Sequence, residues 1–190
     1  MDKGAFDYQR YLDGDDEGLV EIIKDYKDGL ELFLNRYVGD LEIAEELTED
    51  TFVRLFTKRP HFRPNATFKT WLYVIGRNLA ISYLRKRRKV LMEPFEEQDI
   101  RLQNQASNIM VMEQEHLREE RRIQVHRMLS ELSPEYGRVL YLKFFEELTN
   151  EEIARILKKT KRQVENQLYQ AKRAMREVLE REGIDNEECF

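Results

Sequence analysis

Two stretches of this sequence carry side chains suited to binding nucleic acid, and the first contains no acidic residue. Between Asp50 and Glu93 there is no Asp or Glu, although the whole chain has a formal net charge of -5. The cations of this stretch are Arg54, Lys58, Arg59, Arg63, Lys69, Arg77 and the run Arg85–Lys89. A local field of one sign matters more to a polyanion than the net charge of the protein. The stretch therefore indicates a nucleic-acid-binding face; the alternative is a solvated basic face, although such faces usually interleave Glu with Lys.

Aromatic rings and one amide are interleaved with these cations. The rings are those of Phe62, Phe68, Trp71 and Tyr73. Rings can stack on unpaired bases while cations follow the backbone, which suits single-stranded or distorted DNA. Asn65 lies in a loop with two prolines, where it either hydrogen-bonds a base that leaves the stack or serves as a turn residue. Phe68 and Trp71 are alternatively core residues, and for Phe68 we favour that interpretation.

The second stretch, Thr149 to Arg173, has the pattern of a helix-turn-helix. Thr149 with Glu152, and Thr160 with Gln163, form two capping boxes that each fix the start of a helix. The second helix of such a unit enters a major groove, where Gln, Asn and Arg pair with base edges and cations hold phosphates. Its polar residues are Lys161, Arg162, Gln163, Glu165, Asn166, Gln167, Gln170, Lys172 and Arg173. The alternative is an αα-hairpin with a polar outer face.

An acidic helix precedes the basic stretch. Its apolar residues share one face, and its carboxylates lie elsewhere: Glu42, Glu45, Glu46, Glu49 and Asp50. Such a face suits a partner protein with basic residues, and a solvated face is an equal alternative.

Nothing in the sequence points to catalysis. His61, His116 and His126 are far apart, and there is no nucleophile–base pair, metal-ligand spacing or glycine-rich phosphate loop. We therefore expect no enzyme activity, no metal and no cofactor. The single cysteine, Cys189, cannot form an internal disulfide, and no apolar run has the length of a membrane span or a signal segment. These features predict a soluble protein of the cytoplasm without direct membrane insertion.

Helical periodicity predicts an all-α fold with two small helical domains joined by a flexible linker, the C-terminal one containing the helix-turn-helix. Glycine and proline are sparse, at 8 and 4 residues. Helices are expected over 16–38, 41–58, 68–88 and 112–132, after Ser133-Pro134, after Thr149, and from 161 to 182. The expected boundaries are 1–92 for the N-terminal domain, 93–111 for the acidic and polar linker, and 112–190 for the C-terminal domain.

These residues resemble a known family. Gly39 to Phe52 and Thr67 to Ala80 are similar to the first conserved domain of bacterial extracytoplasmic-function (ECF) sigma factors, and Leu132 to Arg176 is similar to their second. The segment Phe68–Leu72 (Phe-Lys-Thr-Trp-Leu) is the most specific part, and the resemblance extends from about residue 15 to residue 182. It implies a sigma factor that binds core RNA polymerase and promoter DNA, and that an anti-sigma factor holds inactive.

The resemblance also implies roles for individual residues. Docking on the clamp coiled coil of the largest polymerase subunit would involve Ala44, Glu45, Glu46, Leu47, Asp50 and Phe52. Recognition and melting of the −10 element would involve Arg63, Asn65, Lys69, Thr70, Trp71, Arg77, Asn78, Arg85 and Arg88. Reading of the −35 element would involve Lys161, Arg162, Gln163, Asn166, Gln167, Gln170, Lys172 and Arg173.

The sequence departs from the family pattern at three positions. Lys158 stands where the turn often has glycine, and Glu165 and Gln167 stand where basic residues are usual, which predicts an unusual −35 sequence.

The sequence leaves two rival functions open. A stand-alone helix-turn-helix regulator would bind DNA specifically without polymerase, whereas a helical adaptor without DNA contact would tolerate neutralisation of Lys69 and Arg77.

Overall fold

The computed structural model describes residues 2–62, 65–91, 129 and 131–182 of the chain. Secondary structure within these residues consists of seven α-helices and no strand. They are α1 (Lys3–Leu12), α2 (Glu17–Val38), α3 (Leu41–Lys58), α4 (Phe68–Leu91), α5 (Pro134–Phe144), α6 (Asn150–Leu157) and α7 (Lys161–Glu182). The expected all-α fold class is confirmed.

The chain divides into two compact units, each of which has its own buried apolar residues. The first contains α1–α4, and the second contains α5, α7 and the first part of α6. The expected linker, 93–111, and most of the expected helix 112–132 lie outside the described residues. The proposed domain boundaries therefore stay predictions.

The core of the first unit follows from the apolar periodicity of α2. Leu30, Phe33 and Leu34 are fully buried, and α2 packs against both α3 and α4. Gly76 on α4 permits this close packing, because a Cβ there would lie 3.0 Å from a Leu30 methyl carbon. The helix ends at Gly39, whose φ of 68° is left-handed, as expected for a glycine stop.

Helix α1 was not expected from the sequence. Asp2 caps it by accepting a hydrogen bond from the Ala5 N–H at 2.9 Å, and Tyr8 on its inner face is 1% exposed. Gly18 lets α2 cross it closely, because a Cβ there would lie 2.3 Å from the Asp7 carbonyl oxygen. Its apolar pattern is irregular, because Asp7 is buried and Phe6 is 52% exposed, so it was weak evidence by itself.

Capping fixes the helix starts of the second unit where the sequence predicted them. The Ser133 hydroxyl accepts from the Tyr136 N–H, with Pro134 as the first helical residue of α5. The Thr149 hydroxyl accepts from the Glu152 N–H, and the Glu152 carboxylate accepts from the Thr149 N–H at 2.9 Å. Both halves of the first capping box are thus present, and α6 starts directly after Thr149, as the capping box predicts.

Candidate nucleic-acid interface

The basic stretch of the first unit is exposed at both of its ends. Arg54, Lys58 and Arg59 are exposed where α3 ends, and the run Arg85–Lys89 is exposed along the last turns of α4. Cations at a helix C-terminus are also favoured by the helix dipole. Asp50 is exposed one turn before Arg54 at the α3 end, whereas no acidic residue lies within the α4 sequence, so the field of one sign belongs to the run Arg85–Lys89.

The aromatic rings form one cluster rather than a set of free platforms. Phe62, Phe68 and Trp71 have mutual ring-centroid distances of 5.3 to 5.9 Å. Phe68 is fully buried, so the core interpretation is confirmed for this residue. Trp71 and Phe62 are only partly buried, and their outer surfaces can still meet a base.

The position of Tyr73 corrects the expectation that its ring is available to DNA. It is fully buried, and its ring packs against that of Phe33 on α2 at 5.2 Å. The i, i+4, i+8 stripe of Lys69, Tyr73 and Arg77 is therefore not one exposed surface. The reason is that α4 packs against both α2 and α3, so its covered face is wider than a single apolar stripe.

Thr70 is likewise an internal residue. It is 1% exposed, its N–H donates to the Thr67 hydroxyl at 3.3 Å, and the two hydroxyls are 2.8 Å apart. Its hydroxyl helps to fix the start of α4 and has no surface to offer DNA. The remaining predicted −10 residues divide by exposure: Asn65, Asn78, Arg85 and Arg88 are exposed, and Lys69, Trp71 and Arg77 are partly exposed. Arg63 lies outside the described residues.

The acidic helix α3 presents carboxylates over a buried apolar base. Glu45, Glu46 and Asp50 are exposed, whereas Ala44, Leu47 and Phe52 are at most 6% exposed. Glu45 forms an ion pair with Lys27 at 3.6 Å. Of the six predicted polymerase-binding residues, three thus offer side chains to a partner and three support the helix from below.

Val53 joins this exposed side of α3 and was missed by the sequence reasoning. It is 56% exposed, next to Asp50 and Arg54 around a shallow open depression. The sequence could have revealed Val53, because it is an apolar residue outside the i, i+3, i+4 pattern of the core face of α3. Its exposed apolar surface is available to a partner protein that also meets the neighbouring charges.

The helix-turn-helix has a buried apolar core. Ile153 and Val164 are fully buried, and Ala154 and Leu168 are each 8% exposed. The second capping box is formed: the Thr160 N–H donates to Gln163 Oε1 at 2.8 Å and the Gln163 N–H donates to the Thr160 hydroxyl at 3.2 Å. The start of α7 is therefore fixed from both sides.

Lys158 adopts the conformation that glycine favours. Its φ is 55°, and the following N–H, that of Lys159, donates to the Ala154 carbonyl at 2.9 Å. This bond belongs to a helix C-terminus that ends through a left-handed residue. The turn geometry is therefore kept in spite of the lysine, with backbone strain at that residue.

The exposed face of α7 contains most of the predicted −35 residues. Lys161, Arg162, Gln163, Glu165, Asn166, Gln170, Lys172 and Arg173 are exposed. Tyr169 lies among them, is 68% exposed and was missed. It lies one turn after Asn166 and one turn before Arg173, and an exposed tyrosine on a polar helix face was the available signal.

Gln167 does not belong to that surface. It is 8% exposed, and its Nε2 donates to the main-chain and carboxylate oxygens of Glu135 at 3.2 Å each. Its Oε1 accepts from Lys159 Nζ at 2.9 Å. The side chain ties α7 to the start of α5 and to the turn, so we remove it from the set that reads bases.

Carboxylates accompany several cations of the second unit. Lys161 pairs with Glu151 at 2.5 Å, and Arg173 pairs with Glu177 at 3.5 Å. Hydrogen bonding to Glu151 raises the pKa of Lys161, and the same bond lowers the pKa of Glu151. These pairs are exposed and therefore weak, so phosphates can compete with the carboxylates for the cations.

Within residues 2–62, 65–91, 129 and 131–182 there is no group of three or more potential metal ligands. None of the helices in those ranges combines the length and apolarity needed to cross a membrane.

Comparison with known proteins assigns both units to one family. The family model for Sigma-70 region 2 matches residues 22–90, and that for Sigma-70 region 4 matches residues 122–175. The ECF RNA polymerase sigma factor SigW of Bacillus subtilis is 26% identical over 170 residues, covering 87% of this chain and 91% of the relative. The RNA polymerase sigma factor SigV of the same organism is 27% identical over 166 residues, covering 87% and 93%.

Solved structures show the same fold. CnrH in complex with the cytosolic domain of CnrY has a TM-score of 0.63 and 17% identity, covering 94% of this chain and 98% of that one. The sigma factor RpoE in complex with the anti-sigma factor NepR from Bartonella quintana has a TM-score of 0.63 and 20% identity, covering 84% and 95%.

Proposed function

Because the chain belongs to the ECF subfamily of bacterial sigma-70 factors, we propose that it binds core RNA polymerase and directs promoter-specific transcription initiation. The observation that supports this function is the presence in one chain of two separate exposed surfaces whose side chains suit DNA: the basic and aromatic surface of α3–α4 and the polar, basic face of α7. Each lies within a segment matched by a sigma-70 region. One surface alone would fit many DNA-binding proteins, but the pair fits a factor that contacts two spaced promoter elements.

For the −10 element, we propose a surface that combines two amides, one ring and several cations. Asn65 and Trp71 would meet unpaired bases, since amides can hydrogen-bond base edges and a ring face accepts any base. Lys69, Arg77, Asn78, Arg85 and Arg88 would follow the strand by phosphate contact, with Arg63 as a further candidate. Thr70 supports this surface from inside α4 through its bond to Thr67.

For the −35 element, we propose that the exposed face of α7 reads the major groove. Gln163, Asn166, Gln170 and Arg162 have the donors and acceptors that pair with base edges. Tyr169 adds an exposed ring and hydroxyl in the middle of this face. Phosphate contacts would come from Lys161, Lys172 and Arg173. Glu165, also exposed, would disfavour phosphate and favour a cytosine amino group, which makes the preferred sequence unusual.

For the polymerase, we propose that α3 docks through Glu45, Glu46, Asp50 and Val53. Exposed carboxylates steer a basic partner surface, and the exposed Val53 side chain adds apolar area that docking would bury. Ala44, Leu47 and Phe52 keep the helix in place by packing beneath it.

The negative net charge indicates that the chain needs polymerase in order to bind promoter DNA tightly. With a net charge of -5 and small contact surfaces, the free chain should bind DNA weakly. Attachment to polymerase converts both DNA contacts into intramolecular ones and so raises the effective affinity. We propose accordingly a cytoplasmic, non-enzymatic factor, which an anti-sigma factor would hold inactive by covering these surfaces.

Run-off transcription with purified core polymerase on a genomic promoter library tests this function. We expect a set of transcripts that core polymerase alone does not make. A double variant, Lys69→Ala with Arg77→Ala, should lose them while still binding core polymerase. No gain in specific transcripts over core alone would refute the proposal, and specific gel shifts without polymerase would favour a stand-alone regulator instead.

A further inference from the structure

Helix α1 contacts both ends of the connection between α3 and α4. At the far end of that connection, Asp2 Oδ2 accepts a hydrogen bond from the Phe68 N–H at 3.0 Å. Asp2 Oδ1 accepts from the Ala5 N–H at 2.9 Å. One carboxylate therefore caps two helices, its own α1 and α4, which begins 66 positions later.

The near end of the connection is held by two tyrosines of α1. The Tyr8 hydroxyl donates to the Pro60 carbonyl at 2.9 Å, and the Tyr11 hydroxyl donates to the Phe56 carbonyl at 3.1 Å. The Tyr8 ring also packs against those of Phe68 and Trp71 at 5.6 and 5.4 Å. The helix thus fixes where the chain leaves α3 as well as where it enters α4.

Gly4 shows how closely α1 approaches the start of α4. A Cβ at this position would lie 2.5 Å from Phe68 Cδ1 and 2.4 Å from the Tyr26 hydroxyl oxygen. Both distances are far inside van der Waals contact, so only glycine fits without displacement. This close approach is independent of the Asp2 hydrogen bonds and places the two helices together by packing.

We propose that Asp2 is a positioning residue for −10 recognition: by capping α4 across the fold, it sets how Asn65, Lys69 and Trp71 are presented to promoter DNA. The proposal rests on the proposed function. Thr67 caps the Thr70 N–H but leaves the Phe68 N–H to Asp2. Without that bond the first turn of α4 would fray, and DNA binding would have to supply the ordering free energy that the fold now supplies.

Three variants separate this role from ordinary stability. Asp2→Ser keeps one acceptor close enough to cap α1 but cannot also reach Phe68, whereas Asp2→Ala removes both bonds. Gly4→Ala perturbs the same helix junction by steric clash and leaves Asp2 intact. Lys3→Met is the matched control, because it removes ion pairs from α1 to Glu21 and Asp25 on α2 without touching α4.

Two measurements are made on each full-length variant. The first is hydrogen exchange of the Phe68 amide in the free protein, which reports the bond itself. The second is the open-complex formation rate of the holoenzyme on a promoter from the run-off library, compared with the affinity for core polymerase. Loss of a cap of ordinary strength changes a rate or an equilibrium by about fivefold. The Phe68 amide of Asp2→Ser should therefore exchange about fivefold faster than that of the wild type, and its holoenzyme should form open complexes about fivefold more slowly. Its affinity for core polymerase should be unchanged.

The outcomes distinguish the possibilities. Faster Phe68 exchange and slower open-complex formation in Asp2→Ser and Gly4→Ala, with Lys3→Met like the wild type, support the proposal. Unchanged Phe68 exchange overturns the double cap, and an equal loss of polymerase affinity and open-complex rate overturns a specific positioning role. If the wild type itself gives no specific transcripts, the proposed function fails and the positioning role fails with it. The Phe68 exchange result is unaffected by that failure, which keeps the two distinguishable.

Discussion

Replacing Gln167 by alanine should destabilise the second unit, although the residue lies on a helix proposed to read DNA. Its side chain makes three hydrogen bonds within the unit, two to Glu135 and one from Lys159, and is 8% exposed. The Gln167→Ala variant removes all three bonds, while the apolar packing between α5 and α7 remains.

The expected loss follows from those bonds and from the exposure of their partners. An intramolecular hydrogen bond contributes about 0.5–1.5 kcal/mol net. The side chains of Glu135 and Lys159 are 63% and 31% exposed, so water can hydrogen-bond to them in the variant. Each lost bond therefore costs a free energy at the low end of this range. Alanine also has a slightly higher helix propensity than glutamine. The sum is a destabilisation of about 1 kcal/mol, or roughly 4–8 °C in the Tm of a small domain.

Two optical probes separate the units in one protein. Trp71 is the single tryptophan of the sequence and lies in the first unit, so its fluorescence follows that unit, whereas far-ultraviolet circular dichroism follows all helices. Thermal unfolding of Gln167→Ala should move the dichroism transition and leave the Trp71 transition in place.

Gln170→Ala is the matched control, because Gln170 is an exposed glutamine on the same helix. It should leave stability unchanged and weaken binding to the −35 element directly. The reasoning would be refuted if Gln167→Ala were as stable as the wild type and weakened −35 binding as much as Gln170→Ala does. Gln167 would then read DNA after all.

Three further predictions concern the turn, an ion pair and a buried phenol. Lys158→Gly relieves a φ of 55° and should stabilise the protein by about 0.5–1 kcal/mol in thermal unfolding; an unchanged Tm would show that the turn stores no strain. Glu151→Gln removes the carboxylate that competes with phosphate for Lys161 in a 2.5 Å ion pair, so holoenzyme binding to −35 DNA should tighten; unchanged affinity would exclude a phosphate contact of Lys161. Burial raises the pKa of Tyr8 and that of Tyr26 to about 12, above the ordinary 10.0, so their contribution to stability is complete below pH 10 and is lost as the pH rises toward 12. Urea midpoints followed by tryptophan fluorescence should fall over that interval, and less steeply in Tyr8→Phe.

Local sequence chemistry determined the helices and their starts. Capping at Asp40, Ser133, Thr149 and Thr160 depends on side chains within three residues of the bond they make, so the sequence predicts it without knowledge of neighbours. The apolar spacing of the helix-turn-helix and the basic stretch without acidic residues can likewise be read from the sequence. Helix α1 escaped prediction because, besides its local Asp2 cap, its stability comes from packing on α2 and from hydrogen bonds to residues 45 to 66 positions away.

Tertiary packing alone decided which polar side chains are available to a partner. Periodicity gives the angle between residues on a helix, but the width of the buried face depends on how many neighbours the helix has. Two neighbours cover α4, so Tyr73 and Thr70 are buried, and α5 approaches α7 so that Gln167 is taken inside. Tyr169, two positions later on α7, is left 68% exposed although it is aromatic. Residue type alone would place Gln167 on the surface and Tyr169 in the core. The fold reverses both, because a glutamine amide can be buried only where the fold supplies hydrogen-bond partners, as Glu135 and Lys159 do here.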